Sequence, residues 1–201
     1  MKVIGLCGGS GSGKGAVCSC FFKLGVPSID TDAVYREMTD GDSQCLRALA
    51  CAFGNSIISC DGSLNRKMLA SIVFSGEGAE QRRRTLNQIA HEFILEEVRR
   101  RILKYKSEGY DICIIDAPVL FESGFDKECD NTVCVIADKA LRIKRIMMRD
   151  GLFESDALMR INSQKSDDEL RQLCDFIIEN NGDYEALLDE VLRVKKLITE
   201  N

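Results

Sequence analysis

The sequence predicts an α/β fold, a five-stranded parallel sheet flanked by helices. Three observations predict it. First, short apolar runs alternate with helical segments: KVIGLC (2–7), VPSID (26–30), DICIID (111–116), NTVCVIA (131–137) and DFIIEN (175–180). Second, the earliest run is almost continuously apolar, as a strand buried on both faces must be. Third, that run enters a glycine-rich loop, GGSGSGK at 8–14, before a helical segment. Strand, helix and strand in repetition imply parallel pairing with helices on both faces.

The helix after the loop should start near Lys14 and run to about Leu24. Further helices are expected over 138–150 and 183–199. Residues 40–110 break the rhythm and hold no convincing strand. Within them, Leu86, Ile89, Ala90, Phe93, Ile94, Val98, Ile102 and Tyr105 fall on one face of a long helix. Its other face carries most of Arg82, Arg83, Arg84, Arg99, Arg100 and Arg101. Such a face is either solvated or, at one or two positions, part of a site for a phosphorylated substrate.

The 201 residues suffice for one core with a small insert. Lysines and arginines number 27 against 32 acidic residues, a net charge of −5. This balance argues against a general nucleic-acid or membrane-surface binder. No apolar run is long enough to span a bilayer. The N-terminus reads as a strand and not a signal peptide. Ten cysteines include no CxxC pair, and His91 is the only histidine, so no paired zinc site is expected. Cysteines inside apolar strands behave as small buried residues in a reducing, cytoplasmic setting.

Chemistry concentrates in four stretches. Glycines in the 8–13 loop let successive backbone N–H groups face an anion, and the helix beyond adds its positive end. Lys14 supplies a full charge for the outer phosphates. Asp30 and Asp32 follow the second strand, where a carboxylate either takes a proton from an attacking hydroxyl or caps the next helix. Asp116 ends the third strand in the manner of a carboxylate that holds magnesium, often through water. Arg142, Lys144, Arg145, Arg149 and Arg160 follow the fourth strand and suit a mobile lid over ATP. His91, on a helix beside an apolar face, is by position a core residue.

Taken in order, these segments resemble the dephospho-CoA kinase family along nearly the whole chain. GLCGGSGSGKG resembles the family's GLTGGIGSGKS, and IDTD its IDAD. DGSLNRKML (61–69), IAHEFI, DAPVLFE, RINSQ and FIIENNG match further family stretches. The resemblance implies a P-loop kinase fold with core segments 1–39, 109–150 and 172–201, a helical CoA-binding insert at 40–108 and a helical lid at 151–171. It implies transfer of phosphate from ATP to the ribose 3′-hydroxyl of dephospho-CoA, with Mg2+. Asp32, Lys14 and Arg149 would be catalytic. Gly9, Ser10, Gly11, Ser12, Gly13, Lys14, Gly15, Ala16, Arg149, Asn180 and Gly182 would bind ATP. Asp32, Arg66, His91, Pro118 and Leu120 would bind the acceptor, and Asp32 and Asp116 would hold magnesium through water. The expected partners are ATP and dephospho-CoA, with no nucleic acid or membrane, and the expected state is a monomer, with a weak oligomer as the alternative.

The sequence also departs from the family pattern. Gly15 stands where the family has a serine whose hydroxyl ligates magnesium, Glu92 replaces a proline, and Asn65 replaces an aspartate. Loss of one electrostatic contact of this kind costs on the order of 10²–10³ in rate, which predicts a slow site and not a dead one. Two alternatives stay open: another small-molecule kinase of this fold, or a catalytically weakened nucleotide- or CoA-binding protein. The lack of an NKxD segment in a plausible place argues against a regulatory GTPase.

Overall fold

The computed structural model describes residues 1–200. Its elements are β1 (Lys2–Cys7), α1 (Lys14–Lys23), β2 (Ser28–Asp30), α2 (Thr31–Met38), α3 (Gln44–Phe53), α4 (Arg66–Phe74) and α5 (Ala79–Ser107). They continue with β3 (Ile112–Asp116), α6 (Leu120–Ser123), β4 (Asn131–Ile136), α7 (Lys139–Asp150), α8 (Glu154–Asn162), α9 (Asp167–Leu173), β5 (Phe176–Glu179) and α10 (Tyr184–Glu200). The five strands form one sheet in the order β2-β3-β1-β4-β5. β1 lies parallel to β3 and β4, and β4 lies parallel to β5. β1 is thus the central strand, and the loop that follows it leaves from the middle of the sheet.

The chain divides into two compact units, residues 1–29 with 105–201, and residues 30–104. In the first, Ile4, Leu6, Ile114, Val133, Val135 and Ile178 from the strands pack on Val17 and Phe21 of α1 and on Leu187, Val191 and Ile198 of α10. The near-unbroken apolar strands follow from this cover on the sheet. β2 is shorter than the apolar run suggested and begins at Ser28, because Pro27 has no N–H to give a ladder. Its carbonyl still accepts from Ile114 N–H at 2.9 Å.

Beyond Asp30, which ends β2, the second unit holds no named strand among its described residues, in keeping with the broken rhythm of residues 40–110. Leu46, Leu49, Ile57, Leu64, Leu69 and Val73 form its own core, with Leu86, Ile89 and Phe93 of α5 against it. Several arginines of α5 are structural. Arg82 donates to the carbonyls of Ile72, Ser75 and Glu77 beyond the last turn of α4, where helix carbonyls lack partners. Arg84 pairs with Glu80, and Arg100 and Arg101 pair with Glu97.

Candidate active site

The loop after β1 is held from behind by side chains remote in sequence. Arg142 Nε donates to Ser10 O at 2.9 Å. Arg145 Nη1 donates to Gly11 O at 3.2 Å and Ser12 O at 3.3 Å, and its Nη2 donates to Asn180 O at 3.0 Å. Asn180 Nδ2 donates to Ser12 O at 2.8 Å. Three consecutive loop carbonyls are therefore engaged by side chains, and Ser12 N–H closes the turn on Gly9 O at 3.0 Å. Gly13 occupies the N-cap of α1 with φ +94°, so the first-turn N–H groups of the helix follow the loop directly.

This packing explains the glycines. A Cβ at Gly11 would lie 2.6 Å from Arg142 O, and one at Gly13 would overlap Asn180 Nδ2. Gly15 differs, since a Cβ there would meet nothing within 4 Å. It lies exposed in the first turn of α1, beside exposed Ala16.

Lys14 Nζ forms an ion pair with Asp116 Oδ1 at the end of β3, both side chains being largely buried. Pro118 and Leu120 are brought together with Gly9 in a cleft of about 380 Å³ that also includes Cys7, Gln164 and Lys165. Gln164 Oε1 accepts from Ser10 N–H at 2.8 Å, and its Nε2 donates to Ser10 Oγ at 3.2 Å. Arg142 also pairs with Asp167 at 2.8 Å. Gln164, between α8 and α9, thus bonds the loop directly, and Asp167 at the start of α9 is linked to it through Arg142.

Two expected lid arginines have a different task. Arg142 is 3% exposed and braces the loop, as Arg145 does. Arg142 is buried and Arg145 half-buried. Arg149, at the last turn of α7, donates twice to Asp150, which Arg160 also contacts at 2.5 Å. These bonds, first that from Arg149, hold the Asp150 carboxyl down to about 2. Of the two residues after β5 that the resemblance assigns to ATP, Asn180 has its side chain buried and bonded into the phosphate loop, while Gly182 is exposed.

In the second unit, Asp30 acts as the N-cap of α2, its Oδ1 accepting from the N–H groups of Asp32 and Ala33 at 2.9 and 3.0 Å. The capping alternative thus holds for Asp30. It leaves Asp32 exposed in the first helical turn. Arg66 opens α4 and donates to Thr39 Oγ1 at 3.1 Å. Asn65 caps α4 through its side chain, so the change from aspartate keeps the cap. His91 is half-buried on α5, and burial lowers its pKa, which keeps it neutral at pH 7.

Ser12 Oγ and Arg142 Nη2 are buried without a hydrogen-bond partner. Such atoms are costly unless a ligand satisfies them. Ser12 Oγ lies against Gly8 and Arg142 Nη2 against Gly9, at the root of a loop of glycines whose helix-start N–H groups and Lys14 suit a polyphosphate. The donors for magnesium are thinner: Asp116 offers oxygen atoms, and position 15 offers none.

The model of the family described as CoaE, dephospho-CoA kinase, matches residues 2–186. The chain belongs to the dephospho-CoA kinase family. A dephospho-CoA kinase domain-containing protein of Danio rerio is 37% identical over 96% of this chain and 84% of its own length. A dephospho-CoA kinase of Corynebacterium diphtheriae is 36% identical over 93% of this chain and 92% of its own length. Among solved structures, a Thermus thermophilus protein, TT1252, superposes with a TM-score of 0.80 at 27% identity, over 98% of this chain and 96% of that one. Membership in the dephospho-CoA kinase family makes the chain an ATP-dependent kinase, and its five-stranded sheet is the P-loop kinase sheet expected. No helix among the described residues is long and apolar enough to cross a membrane.

Sequence reasoning missed Gln164, Arg142, Arg145 and Asn180 as loop supports. The only signal available was their presence in the RINSQ, RIKRIMMR and FIIENNG stretches. Nothing in local spacing says that a side chain will bond to a carbonyl more than a hundred residues away.

Proposed function

We propose that the chain transfers the γ-phosphoryl group of ATP to the ribose 3′-hydroxyl of dephospho-CoA, giving CoA and ADP. The observation that carries this reading is the glycine loop that leaves the central strand and ends with Gly13 at the N-cap of α1, directly before Lys14 and its ion-pair partner Asp116. Family membership supports the choice of acceptor.

In this reading the loop N–H groups and Lys14 hold the β- and γ-phosphates and offset the charge that spreads over the transferring group. Asp32, exposed at the start of α2, takes the proton of the attacking hydroxyl. Arg149 leaves Asp150 to meet phosphate charge when ATP is bound. Arg66, His91, Pro118 and Leu120 contact the acceptor, with residues 40–108 as its binding insert and 151–171 as the lid. Magnesium, when bound, neutralises phosphate charge. Asp116 would hold it through water, since Gly15 has no hydroxyl. The enzyme works as a cytoplasmic monomer.

The test is ADP formation with and without dephospho-CoA. Acceptor-dependent ADP release, lost in Asp32→Asn with ATP binding retained, is the expected result. ADP release unaffected by the acceptor overturns it.

A further inference from the structure

Three cysteines far apart in sequence meet at one point. Cys7 ends β1, and Cys134 is its direct register partner on β4. Neighbouring residues in register point to the same face of a sheet, so both thiols leave it on one side. Cys174 lies between α9 and β5. The three Sγ atoms all lie within 4.8 Å of one another, and those of Cys7 and Cys174 are 3.5 Å apart. Cys7 is 2% and Cys134 0% exposed, and Cys174 is half-buried.

The distances distinguish between uses of sulfur. A disulfide requires about 2.05 Å between sulfurs, and all ten cysteines are free. Zinc bonded to thiolates at about 2.3 Å in tetrahedral geometry sets sulfurs about 3.8 Å apart. The 3.5 Å between Cys7 and Cys174 and the 4.8 Å limit on the set admit that value. No carboxylate or imidazole belongs to the cluster, which disfavours hard cations such as magnesium and favours a thiophilic one. Ordinary core packing accounts for single cysteines in these strands. It does not account for three thiols facing one another.

We infer that Cys7, Cys134 and Cys174 form a binding site for one thiophilic d10 cation of the zinc class. On binding, the three thiols lose their protons to buffer, and three S–metal bonds form. The fourth position of a tetrahedral ion goes to solvent. The site would join the end of β1, the middle of β4 and the C-terminal end of α9. Cys7 directly precedes Gly8, so the ion would also anchor the root of the phosphate loop. The site is separate from the magnesium that serves the phosphates, since the donors differ in kind.

The experiment uses the full chain, reduced and kept anaerobic, titrated with Cd2+ as a spectroscopic probe and with Zn2+ against a chromophoric chelator. The expected result is one ion per chain, a thiolate-to-cadmium charge-transfer band, and a higher thermal midpoint with Zn2+. Cys174→Ser and Cys134→Ser should each lose the band and weaken binding by more than the ~10–100-fold that follows from disturbing a metal site's supporting residues. The exposed pair is the control, and Cys51→Ser/Cys60→Ser should bind as the parent does. If Cys134→Ser does not fold, the half-buried Cys174→Ser decides alone. Absence of a band in the folded parent chain overturns the inference. So does binding that survives Cys174→Ser or is lost in the Cys51→Ser/Cys60→Ser protein.

Discussion

The side-chain amide of Asn180 donates to the carbonyl oxygen of Ser12 at 2.8 Å, which fixes the phosphate loop to the strand end that follows β5. The bond is buried, and Asn180 is 5% exposed. Removing the donor leaves a buried carbonyl with fewer partners, at a cost of about 1–3 kcal/mol. Asn180→Ala should therefore raise the KM for ATP by roughly tenfold or more and lower the thermal midpoint. An unchanged KM in a steady-state ATP titration would show that the loop does not depend on this bond.

Gly13 and Gly15 should respond in opposite ways to a small side chain. At Gly13 a Cβ overlaps Asn180 Nδ2, and φ of +94° strains any L residue. Gly13→Ala is expected to abolish ATP binding measured by calorimetry. At Gly15 the space is open. Gly15→Ser should fold as the parent does, gain a few tenths of a kcal/mol in helix propensity, and lower the magnesium concentration for half-maximal rate. A magnesium titration that does not move would remove position 15 from the account.

Arg142 links the loop to Asp167 while itself buried, so its loss should exceed that of an exposed arginine. Arg142→Lys keeps the charge but not the planar fork that serves Ser10 and Asp167 together. The expected outcome is a drop in kcat/KM for ATP of at least tenfold, on the scale of the 1.5–3 kcal/mol of a charged hydrogen bond. Arg84→Lys, at an exposed pair with Glu80, should change little. Equal effects at the two sites would contradict the bracing role.

Acid stability should report on Glu97. Hydrogen bonds from Arg100 and Arg101 hold its carboxyl down to about 2, below the ordinary 4.5. A carboxylate with a depressed folded pKa contributes stability above its unfolded value, and that contribution fades as pH falls from about 4.5 toward 2. Glu97→Gln should be less stable at pH 7 and decline less steeply below pH 4.5. Parallel melting curves for the two proteins across that range would refute the assignment.

The strands and the loop were legible because they depend on local pattern. A double-covered strand must be apolar throughout, and a loop around phosphate must lack side chains. Asp30 was legible only as a choice between cap and catalyst, because both uses want a carboxylate at a helix start. The bracing of the loop was not legible, since Arg142, Arg145 and Asn180 act on backbone oxygens that sheet topology brings to them. The cysteine cluster was hidden for the same reason. Its spacing comes from the register of Cys7 on Cys134 and from where α9 ends, and local ligand-spacing rules do not see either.

Phosphoryl transfer from ATP at this loop to dephospho-CoA can be followed by phosphorus NMR of the reaction mixture. A new phosphomonoester resonance at the ribose 3′ position should grow one-for-one with ADP and be absent from Lys14→Ala. ADP accumulating without that resonance, or the resonance persisting in Lys14→Ala, would contradict it.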